Sequence, residues 1–267
     1  MNGASAAVPE GLTVLKLGGS YAFSPHLPSI LDAVCGARAA LVVVPGGGPF
    51  ADRVREAQPV MAFSERAAHR MAFLAMAQFA EALAALAPAL RVAAGLDEIK
   101  AALSRSDVPV WSPWPLTDGL QILPEGWNLT SDSLAAWLAG RLGAARLVLL
   151  KHRDPPVSPM TLHEAAQAGI VDPLFPGFAT AFLRPLAPSP GGLAAALSLV
   201  GKSRARKRPN EGTSQEKQPS KNGSHPRRSG AAVWWVGPAQ LDTLAAVIEG
   251  GGEAGLRLHV NENALRA

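Results

Sequence analysis

VVVPGGGPFADRV, residues 42–54, carries an apolar β-branched run straight into three glycines, a proline and a helix-patterned segment. A run this short and this continuously apolar reads as a strand buried on both faces, as in a parallel sheet covered by helices. The glycines mark a strand-to-helix turn at which the backbone needs unusual freedom. Pro49 suits a first helical turn, where its missing N–H is not needed, and Phe50, Val54 and Ala57 form the apolar stripe of the helix that follows.

The same alternation extends in both directions. LTVLKLGG, residues 12–19, is another apolar strand ending in glycines, followed by a helix over 25–37. A long helix over 64–86 takes Ser64 as its N-cap and aligns Ala68, Met71, Ala72, Ala75, Phe79 and Leu83 on one face. A strand at 91–94, a helix at 96–104, the strand VPVWSP, a helix at 131–142 and a strand at 146–151 continue the series. AAVWWVG and PAQLDTLAAVIEGG then supply a last strand and helix, with Pro238 in the first turn. This order predicts an α/β fold, a three-layer αβα sandwich with a mostly parallel central sheet.

Composition supports one α/β domain: 267 residues, 48% of them apolar, suffice for a sizeable core. The charge is unevenly spread. Residues 201–230 hold nine Lys/Arg against two Asp/Glu, whereas the rest of the chain holds sixteen against nineteen. With no aromatic and no aliphatic larger than Ala, 201–230 reads as a basic disordered insertion. It divides the domain into 12–200 and 231–267, after a flexible tail at 1–11. Lacking aromatics for base stacking, the insertion disfavours a nucleic-acid partner and offers polyanions only weak attraction. The single cysteine, Cys35, excludes an intramolecular disulfide framework and reads as a buried structural thiol. The N-terminal residues lack a signal-peptide pattern, and the apolar stretch 71–94 is interrupted by Gln78, Glu81, Pro88 and Arg91. No membrane partner is therefore expected, and the location is read as cytoplasmic.

The chemistry gathers where the strands end. In open parallel sheets, ligands collect outside the carboxyl edge, which is where Gly18, Gly19, Gly46, Gly47 and Gly48 fall. These residues can present bare amides to phosphate oxygens beside a helix N-terminus, or simply let a strand and a helix approach closely. Neither cluster fits G-x-G-x-x-G or G-x-x-x-x-G-K-[ST]. Lys16, in an otherwise apolar strand, must snorkel or meet an anion. Thr130, Ser131 and Asp132 precede a helix; Ser131 or Asp132 can cap it, or Asp132 can hold cations around a phosphoryl group. No ligand-spaced acidic cluster appears, so no metal site made by the protein is expected.

K-x-G-G-S (16–20), P-G-G-G-x-F-A (45–51), a helix carrying His69, W-x-x-T-S-D-S (127–133) and the closing strand–Gly–helix–E-G resemble the amino acid kinase superfamily. The likeness covers about 12–184 and 231–260, and within the superfamily it is strongest to the small kinases of methanofuran biosynthesis, which act on aminomethylfuranmethyl phosphate. The resemblance implies an ATP-dependent kinase acting on an anionic small molecule, a phosphate or carboxylate. Magnesium would arrive with ATP. Lys16 would then stabilise the transferring phosphoryl group, Gly18, Gly19 and Ser20 would bind ATP phosphates, and Asp132 would organise the cations. Gly46, Gly47 and Gly48 would cradle the acceptor, with Thr130 and Ser131 hydrogen-bonding phosphate or acceptor.

His69 reads either as an acceptor contact or as a helix-surface histidine. Arg53 and Arg55 lie within reach of the same loop, as phosphate clamps or as solvated residues. Family members are often oligomers, which implies a homo-oligomer and makes the helices around Phe73 and Phe79 a candidate contact. The family's T-D-x-D-G or T-K-x-D-G segment is replaced here by Lys151, His152, Arg153, Asp154, Pro155 and Pro156, and an Asn-Gly by Val236 and Gly237. Lys151 would serve as a second phosphate-binding lysine and Asp154 as the replacement carboxylate. These departures also support a second reading, a kinase-fold protein that binds nucleotide or metabolite and regulates or assembles a partner.

Overall fold

The computed structural model describes residues 7–183, 231–251 and 255–260. Its strands are β1 (Thr13–Leu17), β2 (Leu41–Pro45), β3 (Leu90–Ala93), β4 (Val108–Trp111), β5 (Arg146–Leu150), β6 (Met160–Thr161), β7 (Ala232–Val236) and β8 (Leu256–His259). They form one sheet in the order β3-β4-β2-β1-β5-β7-β8-β6, in which only the β7–β8 pairing is antiparallel. The helices are α1 (Leu27–Gly36), α2 (Gly48–Met61), α3 (Glu65–Leu86), α4 (Leu96–Ser104), α5 (Ser131–Leu142), α6 (Leu162–Gln167), α7 (Phe175–Leu183) and α8 (Leu244–Glu249). A 3-10 turn, Gly19–Phe23, follows β1, and another, Pro238–Thr243, leads into α8.

The central strands are buried along their whole length, as their unbroken apolar runs require. Their residues alternate between two cores. Val14, Val42, Val44, Leu147 and Leu149 pack with Leu134, Leu138, Phe178 and Phe182 from α5 and α7. Leu15, Leu17, Val43, Val148 and Leu150 pack on the opposite face with Ile30 and Val34 of α1 and Val247 and Ile248 of α8. Helices on both faces of a mostly parallel sheet are the α/β arrangement expected.

Several local expectations are corrected. On α2 the buried residues are Ala51 and Val54; Phe50 is turned out, because the helix begins at Gly48 and so presents Ala51 to the core. On α3, Ala68, Ala75, Phe79 and Leu83 are buried and Ser64 accepts the Ala67 N–H, but Met71 lies on the solvent side. Phe73 and Phe79 are each 2% exposed and belong to the core, whereas Met71 and Leu74 are the apolar side chains the same helix exposes around them. Cys35 is exposed, near the last turn of α1. The short strands β6 and β8 have no counterpart in the sequence reading. The basic segment 201–230 lies outside the described residues, as do 1–6 of the expected tail. Among the described residues no helix is long and apolar enough to cross a membrane.

Candidate active site

The chain leaves β1 toward β2 on one side and later returns to place β5 on the other, so the order of strands reverses at β1. Such a switch point opens a crevice at the carboxyl edge. Lys16 pairs in register with Leu149, and Lys151 follows the end of β5, so the two lysines stand on neighbouring strands at that edge. Strand alternation puts Lys16 on the face of Val14, and Lys151 on the face of Leu147 and Leu149, which is the face covered by α5.

Asp132, in the first turn of α5, meets both. Its Oδ1 lies 3.0 Å from the Lys16 Nζ and its Oδ2 accepts a hydrogen bond from the Lys151 Nζ at 2.5 Å. Lys16 is 6% exposed and Asp132 4%, so this is a desolvated cluster of two cations and one anion. Burial alone would push the Asp132 carboxyl up, but the two ammoniums and their hydrogen bonds hold it below its ordinary value. Lys151 is pushed down to about 8, first by burial and then by the charge of Lys16, with Asp132 opposing. Asp132 is therefore not the helix cap. Thr130, in extended backbone, is the N-cap, and its hydroxyl accepts the Asp132 N–H.

The two glycine turns abut each other at the same edge. A Cβ on Gly19 would overlap the Gly48 backbone nitrogen, and one on Gly46 would stand 2.6 Å from the Gly19 nitrogen, so neither position has room for a side chain. Gly48 adds a φ of +54°, in the left-handed region. Lys16 Nζ lies 3.7 Å from where a Gly18 Cβ would sit, and Ser131 Oγ 3.5 Å from that of Gly46. Lys16, Gly18, Gly19, Gly46, Ser131 and Asp132 thus share one rim. Ser20 sits exposed on the 3-10 turn after it.

A cavity of about 70 Å³ opens beside this rim, lined by Gly47, Thr130 and Ser131 together with Arg55, His69, Phe73 and Trp127 among others. His69 is buried, with its ring edge-on to Phe73; burial lowers its pKa against the pull of Glu125 and Gly126, which favours the uncharged ring. Arg55 stacks over Trp127 at 4.5 Å, while Arg53 pairs with Glu56 out in solvent. A second cavity, about 350 Å³, shares His69 and is lined by Arg66, Arg70, Trp114 and Leu120.

Lys16 and Lys151 pair with Asp132, and Asp154 has other partners. Its Oδ1 accepts the Ala239 N–H at 2.8 Å and packs against Gly237, which fixes the second 3-10 turn. Tyr21 donates its hydroxyl to the Lys151 carbonyl at 2.8 Å. Sequence reasoning missed Asp172, whose buried carboxylate binds both Thr130 and Ser133. Its local signal, an Asp-Pro turn after α6, says nothing of a return to α5. No group of three or more His, Cys, Asp or Glu able to hold a metal ion occurs among the described residues.

Comparison with known proteins speaks to the family and the fold. The model of the amino acid kinase family matches residues 11–155. A 143-residue stretch, 53% of this chain, is 26% identical to the [5-(aminomethyl)furan-3-yl]methyl phosphate kinase of Methanocaldococcus jannaschii and spans 66% of that protein, just under two thirds. The uridylate kinase of Archaeoglobus fulgidus superposes with a TM-score of 0.52 at 16% identity, over 91% of this chain and 97% of that one. The UMP kinase of Ureaplasma parvum gives 0.51 at 12% identity, over 94% and 100%. At these identities the two structures speak for the fold.

Proposed function

Because the chain belongs to the amino acid kinase family, we propose that it transfers the γ-phosphoryl group of ATP to an oxyanion of a small phosphorylated or carboxylated metabolite. The observation that carries this reading is the Asp132 carboxylate held between the Lys16 and Lys151 ammoniums, at the rim formed by the two glycine turns. Phosphoryl transfer asks little covalent chemistry of a protein; it asks for positive charge and N–H donors around an in-line displacement. In the proposed step an acceptor oxygen bonds to the γ-phosphorus as the bond to the ADP oxygen breaks. The acceptor is already an anion, so no general base is needed, which suits an uncharged His69.

Lys16 and Lys151 neutralise the phosphoryl oxygens, Gly18, Gly19 and Ser20 hold ATP phosphates, and Asp132 aims the lysines. Both Asp132 oxygens face lysines, so magnesium is brought by the ATP phosphates. The acceptor's anionic group is placed against Gly46, Gly47, Gly48, Thr130 and Ser131, and its organic part beside His69, where the second cavity gives it room. The name of the Methanocaldococcus relative makes aminomethylfuranmethyl phosphate the first acceptor to try. A cytoplasmic location completes the proposal.

A non-catalytic binding role is the second reading, favoured by Asp154, whose Oδ1 is already taken by Ala239. Incubation with Mg-ATP and a panel of acidic and phosphorylated acceptors separates the two. ADP release that disappears in Lys16→Ala supports the kinase; a rise in Tm with ATP and no ADP from any acceptor supports the binder.

A further inference from the structure

Asp172 has no part in the roles above, yet its carboxylate is the most heavily hydrogen-bonded in the site. Its Oδ1 accepts from the Ser133 hydroxyl at 2.5 Å and from the amides of Leu174 and Phe175 at 3.0 Å each. Its Oδ2 accepts from the Thr130 amide at 3.1 Å, the Thr130 hydroxyl at 2.8 Å and the Ser133 amide at 3.1 Å. Six donors on two oxygens suit an ionised carboxylate; an amide in its place would point N–H groups at other donors.

The first turn of a helix carries orphan N–H groups, and an acid in that turn ordinarily serves them. In α5 they are served by Thr130 and Asp172, which leaves Asp132 free to reach across to the lysines. The same carboxylate accepts the amides of Leu174 and Phe175 at the start of α7, so it ties the N-termini of α5 and α7 to one point. We propose that Asp172 is a positioning residue for phosphoryl transfer: by capping α5 and clamping it to α7, it keeps the Asp132 carboxylate between Lys16 and Lys151. This rests on the kinase reading above. Lys16 from β1, Asp132 from α5 and Asp172 from the turn before α7 are the charged groups that act on the Lys151 ammonium, Asp172 the least of them.

The test is Asp172→Asn in the full chain, with Mg-ATP kinetics and an NMR titration of the Lys151 side chain in protein carrying ¹³C-labelled lysine. Expected are a kcat lower by about 10²-fold, from misplacement of Asp132, with the KM for ATP moving far less. The Lys151 titration should shift below its position near 8, because a neighbouring negative charge is gone. A variant with lowered Tm but wild-type kcat and an unmoved Lys151 titration would reduce Asp172 to a structural cap and overturn the proposal. If the wild type turns over no acceptor, the kinase reading fails, while the Lys151 titration still decides whether Asp172 acts on the cluster. Should Asp172→Asn not fold, Ser133→Ala removes one donor and keeps the charge; a kcat lower by about tenfold supports the clamp, and an unchanged kcat refutes it.

Discussion

The rim of the sheet is built in two different ways on either side of Lys16. Toward β2 it is made of backbone: Gly19 lies against Gly46 and Gly48 main chain to main chain, with no space for a Cβ on Gly19 or Gly46. Toward β5 and β7 it is made of side chains that arrive from distant parts of the chain, Asp132 on Lys151, Asp172 on the start of α5 and Asp154 on the Ala239 amide. A backbone wall is rigid and indifferent to what surrounds it, whereas a side-chain wall is adjustable and each member depends on its neighbours. The first suits the fixed demands of a phosphate. The second depends on residues far apart in sequence, from Thr130 to Ala239.

The contrast breaks most severely at the shared centre. Asp132→Ala leaves two buried ammoniums facing each other; ADP release should fall by about 10³-fold and the protein should lose about 3–5 kcal/mol, read by turnover and by urea unfolding. On the backbone side, Gly19→Ala forces the two turns apart. A drop in kcat/KM of about 10²-fold is expected, and near-wild-type kinetics would mean that the turns need not touch.

A pH series sharpens the other side, because Lys151 has opposite effects on rate and stability. Its folded pKa, about 8, lies below its ordinary 10.5, so between these values the unfolded chain holds the proton more tightly. Stability contributed by this group therefore rises with pH across that window, while turnover falls above pH 8 as the ammonium is lost. Turnover still increasing at pH 9 would remove Lys151 from the phosphoryl site. Smallest is Asp154→Ala, which removes one exposed cap-like hydrogen bond. It should cost about 1 kcal/mol in urea unfolding and raise the KM for ATP more than that for the acceptor.

What the sequence disclosed follows the same division. The glycine turns, Lys16 and the helix 131–142 could be read directly, because continuous apolar strands, missing side chains and a T-S-D turn are local signals. The strands β6 and β8 escaped: one has two residues, and the other exposes Arg257 and His259, so neither carries an apolar run. Asp172 escaped because its six partners lie in two segments, one of them some forty residues upstream in the chain. The helix faces were only half legible, since the exact start of α2 decides whether Phe50 or Ala51 looks inward.

The C-terminal end of α7 and the start of β7 both lie away from the rim. Phe182 lies against Gly140, near the end of α5 opposite Asp132, and Ala232 pairs with Arg146 at the opening of β5. Both ends therefore lie at the amino edge of the sheet, a full strand length from the lysines. A fluorescent label placed on Leu183 or Ala231 would sit far enough from the rim to report on folding without touching the ligand.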